Sequence, residues 1–184
     1  MFDQLSELVK QFGLDAVVNN PAVPNEQNDA IMNEAGGLIL SGLKDMVASG
    51  NISDLSGLLS GNSSINGDNT VVKEITKKVN GNLEEKFGLS SSAASSVSGG
   101  LIPQILGGLV NKAKDTNYPE FNMNDIVNAI SSGQGGELMN SVSKYGKNFG
   151  LDQNNDGKVD INDAMAAVTK KGGLGGLLGK LFGK

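Results

Sequence analysis

The sequence lacks cysteine, histidine, tryptophan and arginine altogether. Without cysteine the chain forms no disulfide and no zinc or iron–sulfur site with sulfur ligands. Without histidine it lacks the usual general base and the commonest transition-metal ligand. Without arginine it lacks the planar group that holds phosphate or carboxylate through two hydrogen bonds. These absences disfavour catalysis, and we predict that the protein is not an enzyme.

The charge and hydropathy of the chain exclude two further classes of protein. Its 15 lysines stand against 20 carboxylates, and the net charge of −5 argues against nucleic-acid binding, which depends on neutralising phosphates. The first residues have neither the basic start nor the apolar run of a secretory signal. The longest charge-free stretch, residues 87–111, is rich in serine and glycine, and its dense apolar part, residues 97–110, is shorter than the roughly 20 residues of a membrane span. We therefore expect a cytoplasmic protein in which this stretch is a buried helix.

Apolar residues recur at intervals of three and four along most of the chain, which is the spacing of amphipathic helices. Between Thr70 and Gly88, the residues on one such face are Val72, Ile75, Val79, Leu83 and Phe87. Helix-capping residues precede three of the predicted helices, namely Asn25, Ser90 and Asn124. No alternating strand pattern of useful length is present, so the predicted fold class is all-α, a helical bundle.

One predicted helix, beginning after Ser90, has apolar residues on two faces. One face carries Ala94, Val97, Leu101, Ile105 and Leu109, and the other carries Ile102, Leu106 and Val110. A helix that is apolar nearly all round is buried. Pro103 lies within it and is expected to kink or split it. In the preceding helix, Glu74 and Lys78 have the spacing of a stabilising ion pair.

Between Val72 and Val110 the sequence contains Phe87-Gly88-Leu89, the small residues of 90–96, Leu101-Ile102-Pro103-Gln104-Ile105 and Leu109. By these features it resembles the YidB-like bacterial family of unknown function. Together with the opening Phe2-Asp3, the resemblance covers about residues 1–130. It implies a helical fold and carries no catalytic residues with it.

A second motif lies beyond that region, at residues 152–163, and has the spacing of a twelve-residue EF-hand calcium loop. Gly157 stands at the sixth position, where the loop turns sharply, and Val159 stands at the apolar eighth position. The predicted metal ligands are Asp152, Asn154, Asp156, the backbone carbonyl of Lys158, Asp160 and Asp163. Helical patterns flank the loop on both sides. We therefore predict a Ca²⁺ site, with Mg²⁺ as the second candidate ion.

Asp163 departs from the sensor EF-hand, which has glutamate at the twelfth position. Aspartate is one methylene shorter and binds less readily through both oxygens. This should weaken Ca²⁺ binding and reduce the preference of the loop for Ca²⁺ over Mg²⁺. The residue pattern of the loop is also similar to a dockerin repeat. The second repeat of a dockerin is missing, so we do not infer binding to cohesin, the partner of dockerins. Residues 62–73 imitate the same spacing, with Lys73 in place of the last ligand, and are not predicted to bind a cation.

The last thirteen residues carry an apolar stripe at helical spacing, formed by Leu174, Leu177, Leu178, Leu181 and Phe182. This stripe is typical of a helix that folds back on its own protein, or of an anchor for a membrane surface or a partner groove. The predicted organisation is thus a YidB-like helical domain at residues 1–132, a single EF-hand-like helix–loop–helix at 136–171, and an amphipathic tail at 172–184.

The favoured function is a non-enzymatic, calcium-binding helical module with a structural or interaction role. A protein partner or self-association into a homo-oligomer is compatible with this function. The alternative is a membrane-surface or self-assembling protein that acts through its tail and holds the cation for structural reasons only.

Overall fold

The computed structural model describes residues 2–115, 117, 121–131 and 135–146, and within these it contains seven α-helices and no β-strand. The predicted all-α helical bundle is therefore confirmed. A π-helical turn, Leu14–Val18, directly follows the first helix. The helices are α1 (Phe2–Gly13), α2 (Asn28–Ala48), α3 (Ile52–Ser60), α4 (Thr70–Phe87), α5 (Ser91–Lys114), α6 (Met123–Ser131) and α7 (Gly135–Gly146).

Two of the helices begin with capping side chains that satisfy otherwise unpaired backbone amides. At α4, Asn69 Oδ1 accepts hydrogen bonds from the amides of Val71 and Val72 at 2.9 and 3.3 Å. At α5, Ser90 Oγ accepts from the amide of Ala93 at 3.2 Å, which confirms the predicted cap. Gly88 lies between the two helices with φ of 66°, and this left-handed conformation ends α4 where glycine is favoured.

Two other predicted caps are wrong. Asn25 is the first residue of a 3₁₀ turn, and α2 begins at Asn28 without a capping side chain. Asn124 lies inside α6, whereas Asn122 precedes the helix and accepts a hydrogen bond from the Asn124 amide at 2.9 Å. The amide of Asn122 in turn donates to Asp125 Oδ2 at 2.8 Å, so the side chain and backbone of Asn122 are paired within the first turn.

Helix α5 is the buried centre of the bundle, as its two apolar faces predict. Its buried residues face α1, α4 and α6, and include Leu101, Ile102, Ile105 and Leu106. Pro103 does not split it, because the helix runs without interruption from Ser91 to Lys114. Proline lacks an amide hydrogen, so the carbonyl of Gly99 loses its usual helical donor.

Helices α1 and α5 approach closely at Gly108. A Cβ atom at this position would lie 2.8 Å from Leu8 Cδ2 and 3.1 Å from Phe12 Cε2, so a larger residue would force α1 side chains to move. The neighbouring Gly107 has open space where a Cβ would lie. The contact between α1 and α5 therefore requires a glycine at Gly108, whereas a Cβ at Gly107 would contact none of the described residues.

Substituting these two adjacent glycines by alanine should have opposite effects on stability. Gly107→Ala should raise the free energy of unfolding by about 0.5–1 kcal/mol, because alanine is the better helix former. Gly108→Ala gains the same propensity but overpacks the contact with α1, and should be about 1–3 kcal/mol less stable than Gly107→Ala. Urea unfolding of both variants measures the difference. Equal stabilities would mean that Leu8 and Phe12 move aside without cost.

Candidate functional site

All six predicted metal ligands, Asp152, Asn154, Asp156, Lys158, Asp160 and Asp163, lie outside the described residues. So do the second helix of the predicted helix–loop–helix and the apolar tail. The described chain reaches Gly146, at the end of α7, and the predicted loop begins at Asp152. The structure describes α7, the helix that precedes the predicted loop, and the helical bundle against which α7 packs.

Helix α7 is anchored in the hydrophobic core of the bundle. Leu138 is fully buried, Val142 is 1% exposed, and the helix packs against both α3 and α6. Leu138 and Val142 belong to the same apolar cluster as Leu55 and Leu58 of α3. The first helix of the predicted helix–loop–helix therefore shares its core with residues 2–131.

Within the described ranges, no group of three or more carboxylates has the arrangement of a metal site. The loop at residues 62–73, which imitates EF-hand spacing, uses its polar groups for local hydrogen bonds. Asn66 Oδ1 accepts from the amide of Asp68 at 3.0 Å, and Asn69 Nδ2 donates to the carbonyl of Ser64 at 3.0 Å. Lys73 Nζ lies 3.9 Å from Asp68 Oδ1, so the lysine at the last position of this loop pairs with the loop's own carboxylate.

A serine–lysine pair connects α2 with α4. Lys78 Nζ donates to Ser41 Oγ at 2.8 Å and also forms an ion pair with Asp45. The predicted ion pair between Glu74 and Lys78 is wrong, because the Lys78 side chain turns toward α2 instead of lying along α4. The ammonium group acts as a donor to the serine hydroxyl while it is paired with a carboxylate, which is not the arrangement of a base that removes the serine proton.

Lys114, at the end of α5, binds the end of α3. Its Nζ donates to the carbonyl of Ser60 at 3.0 Å, one of the last carbonyls of α3, which lack helical donors. Gly61 follows with φ of 80°, and a Cβ there would lie 2.5 Å from Lys114 Nζ. Lys114 is exposed as a whole, but partial desolvation at this contact lowers the pKa of its ammonium group from the ordinary value of 10.5.

A surface groove of about 440 Å³ lies between α4 and α5. The residues that line it include Val72, Lys77 and Pro103, and two glycines, Gly81 and Gly99. The sequence offered one signal for it, since glycines interrupt α4 and α5 without ending either helix. Their meeting at one groove depends on how the two helices pair, which the sequence alone did not predict.

Polar side chains fix the two walls of this groove relative to each other. Asn80 Oδ1 accepts a hydrogen bond from the buried Ser98 hydroxyl, and Asn80 Nδ2 donates to Ser95 Oγ at 3.3 Å. The carbonyl of Ala94, 2.9 Å from Ser98 Oγ, is a second acceptor within reach of the same hydroxyl hydrogen. These bonds join the middle of α4 to the first half of α5, so the groove has a defined width at this point.

Among the described helices, α5 has the length and composition of a membrane-spanning segment. Of its most apolar window, 56% is buried within the fold. Its apolar faces contact α1, α4 and α6, which is also how the core helix of a globular domain passes such a test. This helix is therefore weak evidence for a membrane span.

Comparison of the chain with protein-family models, with curated proteins and with solved structures finds no match. The residues that carry the resemblance noted above can be read from the structure itself. Gly88 ends α4, Ser90 caps α5, and Leu101, Ile102 and Ile105 are fully buried. These roles are structural, so these residues specify two helices, the turn between them and their core.

The anchoring of α7 can be tested by shortening its buried side chains. Leu138→Ala should lower the free energy of unfolding by about 2–5 kcal/mol, because it leaves a cavity against α3. Asn140→Ala is the matched control, since Asn140 is exposed on the same helix and its replacement should change stability little. Both are measured by denaturant unfolding. If Leu138→Ala cost no more than the control, α7 would not be part of the cooperative core.

Lys114 should make a distinctive contribution to the pH dependence of stability. Because its pKa is lower in the folded chain, the unfolded chain binds more protons between the folded pKa and about 10.5, and the free energy of unfolding contributed by this group rises with pH across that window. Lys114→Met should abolish this rise. The measurement is the difference between the two proteins' unfolding free energies from pH 8 upward. A difference that instead falls as pH rises would mean that attraction to the end of α3 outweighs desolvation.

Proposed function

We propose that this protein is a non-enzymatic calcium-binding module, in which a helical body carries one EF-hand-like loop at residues 152–163. The observation that carries the proposal is the spacing of oxygen-bearing residues in this loop. Ca²⁺ takes six to eight oxygen ligands, and the EF-hand supplies them from alternate positions of a twelve-residue loop. Carboxylates at the first, fifth, ninth and twelfth positions provide the charge that attracts the cation.

The anchored position of α7 supports this proposal. An EF-hand requires a helix before its loop, and α7 ends at Gly146, close in sequence to Asp152. Because Leu138 and Val142 bury this helix in the bundle, the loop would begin from a fixed base. A cation that orders the loop would then act on the body through α7.

The proposed role of the metal is structural or regulatory. All the proposed ligands are protein oxygens, whereas a catalytic metal keeps a coordination position open for substrate or water. The resemblance of residues 1–130 to the YidB-like family stays a prediction, and is compatible with a body that supports the loop. The body would then be a scaffold for presenting the loop and tail.

Calorimetric titration tests the proposal directly. Ca²⁺ should bind with a dissociation constant of about 10⁻⁵ to 10⁻³ M, because Asp163 is a short final ligand. Asp156→Ala should abolish the signal, and Asp29→Ala, which removes an exposed carboxylate from α2, should leave it intact. At a hundred times its dissociation constant, Ca²⁺ should stabilise the fold by about 2.7 kcal/mol. No heat at millimolar Ca²⁺, or an equal loss in both variants, would refute the site.

The twelfth position offers a second test, in which binding is strengthened. Asp163→Glu adds one methylene and allows both carboxylate oxygens to reach the cation, so it should tighten Ca²⁺ more than Mg²⁺. Parallel titrations with the two ions measure the change in their ratio. An equal shift for both ions, or weaker Ca²⁺ binding, would mean that Asp163 does not close the loop around the metal.

The apolar stripe at residues 174–182 favours a second candidate function, association with a membrane surface. Vesicle flotation of the full chain, compared with a chain ending at Lys171, distinguishes it from the first. Flotation that is lost with the tail and unaffected by chelator would favour the membrane role. Calcium binding without flotation would favour the first function.

A further inference from the structure

The groove between α4 and α5 has the features of a docking surface for an apolar helix. Among the described residues, nothing lies within 4 Å of the Cβ position of either Gly81 or Gly99, so both walls leave room for a backbone to approach closely. Pro103 adds apolar surface to these walls, Val72 beneath them is 1% exposed, and Thr76 and Asn80 contribute polar groups. The charged rim is asymmetric, with Lys77 toward the start of α4 and Glu84 toward its end.

We infer that the occupant of this groove is the chain's own tail, residues 174–182, which docks intramolecularly as an amphipathic helix. The tail combines an apolar stripe with several glycines, a composition that allows it to lie close to the glycine walls. Six glycines in thirteen residues make a poor isolated helix, so contact with the groove supplies the stability that the tail lacks alone.

The lengths of the two surfaces correspond. Along α4 the groove runs from Lys73 to Glu84, which is about 16 Å at the rise of an α-helix. The stripe from Leu174 to Phe182 would be about 12 Å long as a helix. The groove is therefore long enough for the whole stripe.

Charge complementarity sets the direction of the docked tail. The tail has no charge from Gly172 to Gly179, and its lysines, Lys180 and Lys184, follow near its end. With the tail parallel to α4, these lysines lie beside Glu84 and away from Lys77. The opposite direction would place like charges together at one end and leave Glu84 unpaired.

The connecting chain is long enough to reach the groove. About 28 residues separate Gly146 from Leu174, and they span roughly 90 Å when fully extended. A domain of this size has a radius of gyration of only about 15 Å, so the tether reaches any face of the bundle when the proposed calcium loop and its second helix are open. Tethering also raises the effective concentration of the tail above that of a second copy in dilute solution.

Cross-linking of cysteine pairs in the full chain tests the inference, because the natural sequence contains no cysteine. One protein carries Gly81→Cys with Leu178→Cys, and its matched control carries Gly37→Cys with Leu178→Cys. Gly37 is an exposed glycine of α2 with equally open space around it, outside the groove. With a short thiol-reactive cross-linker, the first pair should form a monomeric product about tenfold faster than the control, reflecting the local concentration of the tail.

A second pair of variants tests the direction of docking. Glu84→Lys, added to the first cysteine pair, should slow the cross-link, whereas Glu85→Lys, which changes a neighbour outside the groove, should not. Equal rates at Gly81 and Gly37 would overturn the inference, and so would cross-linked dimers, which would assign the groove to a second copy. If anionic phospholipid vesicles bind the chain and the Gly81 preference persists, docking is supported; if Gly81 and Gly37 react at equal rates both on vesicles and in solution, docking is overturned.

The inference is independent of the proposed calcium site. The cross-linking rates are measured once with millimolar Ca²⁺ and once with chelator, and a preference for Gly81 in either condition supports docking. Calorimetric titration measures Ca²⁺ binding at the loop, and the cross-linking rates measure docking of the tail. Loss of metal binding and loss of docking are therefore distinguishable.

Discussion

Helix α5 has more apolar surface than a single neighbouring helix can cover. Its two apolar faces are buried by contacts with α1, α4 and α6, and these neighbours must lie on different sides of it. Gly108 lets α1 approach one side closely, and the Asn80–Ser98 hydrogen bond fixes α4 on another. Helix α2 then packs across α1 and α4, so the burial of one two-faced helix determines the arrangement of most of the bundle.

The same helix produces the groove, because part of its surface has no large side chain. Gly99 and Pro103 on α5 line the groove together with Gly81 on α4. A gap remains because the glycines have no side chains to fill it. Larger residues at these positions would make better helix formers and better packing partners. The residues that line the groove therefore make α4 and α5 less stable than larger residues would, which is typical of surfaces that bind another segment.

The sequence predicted those features that depend on neighbouring residues. Apolar spacing located the helices, and the capping role of Ser90 was confirmed. Asn25 and Asn124 were mistaken for caps because asparagines are frequent here, with Asn122 beside Asn124 as an equally good candidate. The partner of Lys78 and the groove were missed, because each depends on which helices become neighbours. The calcium loop is a wholly local pattern, and its ligands lie outside the described residues.

The burial of α7 determines how a metal could act on this protein. A helix–loop–helix joined by a flexible linker would bind its cation without affecting the stability of the body. Here Leu138 and Val142 of α7 lie in the apolar cluster that includes α3, and the last carbonyl of α3 accepts a hydrogen bond from Lys114 of α5. On the proposed function, free energy gained at the loop would therefore reach the central helix through the packing of α7 on α6 and of α6 on α5, together with this hydrogen bond, and the cation would stabilise the whole bundle instead of the loop alone.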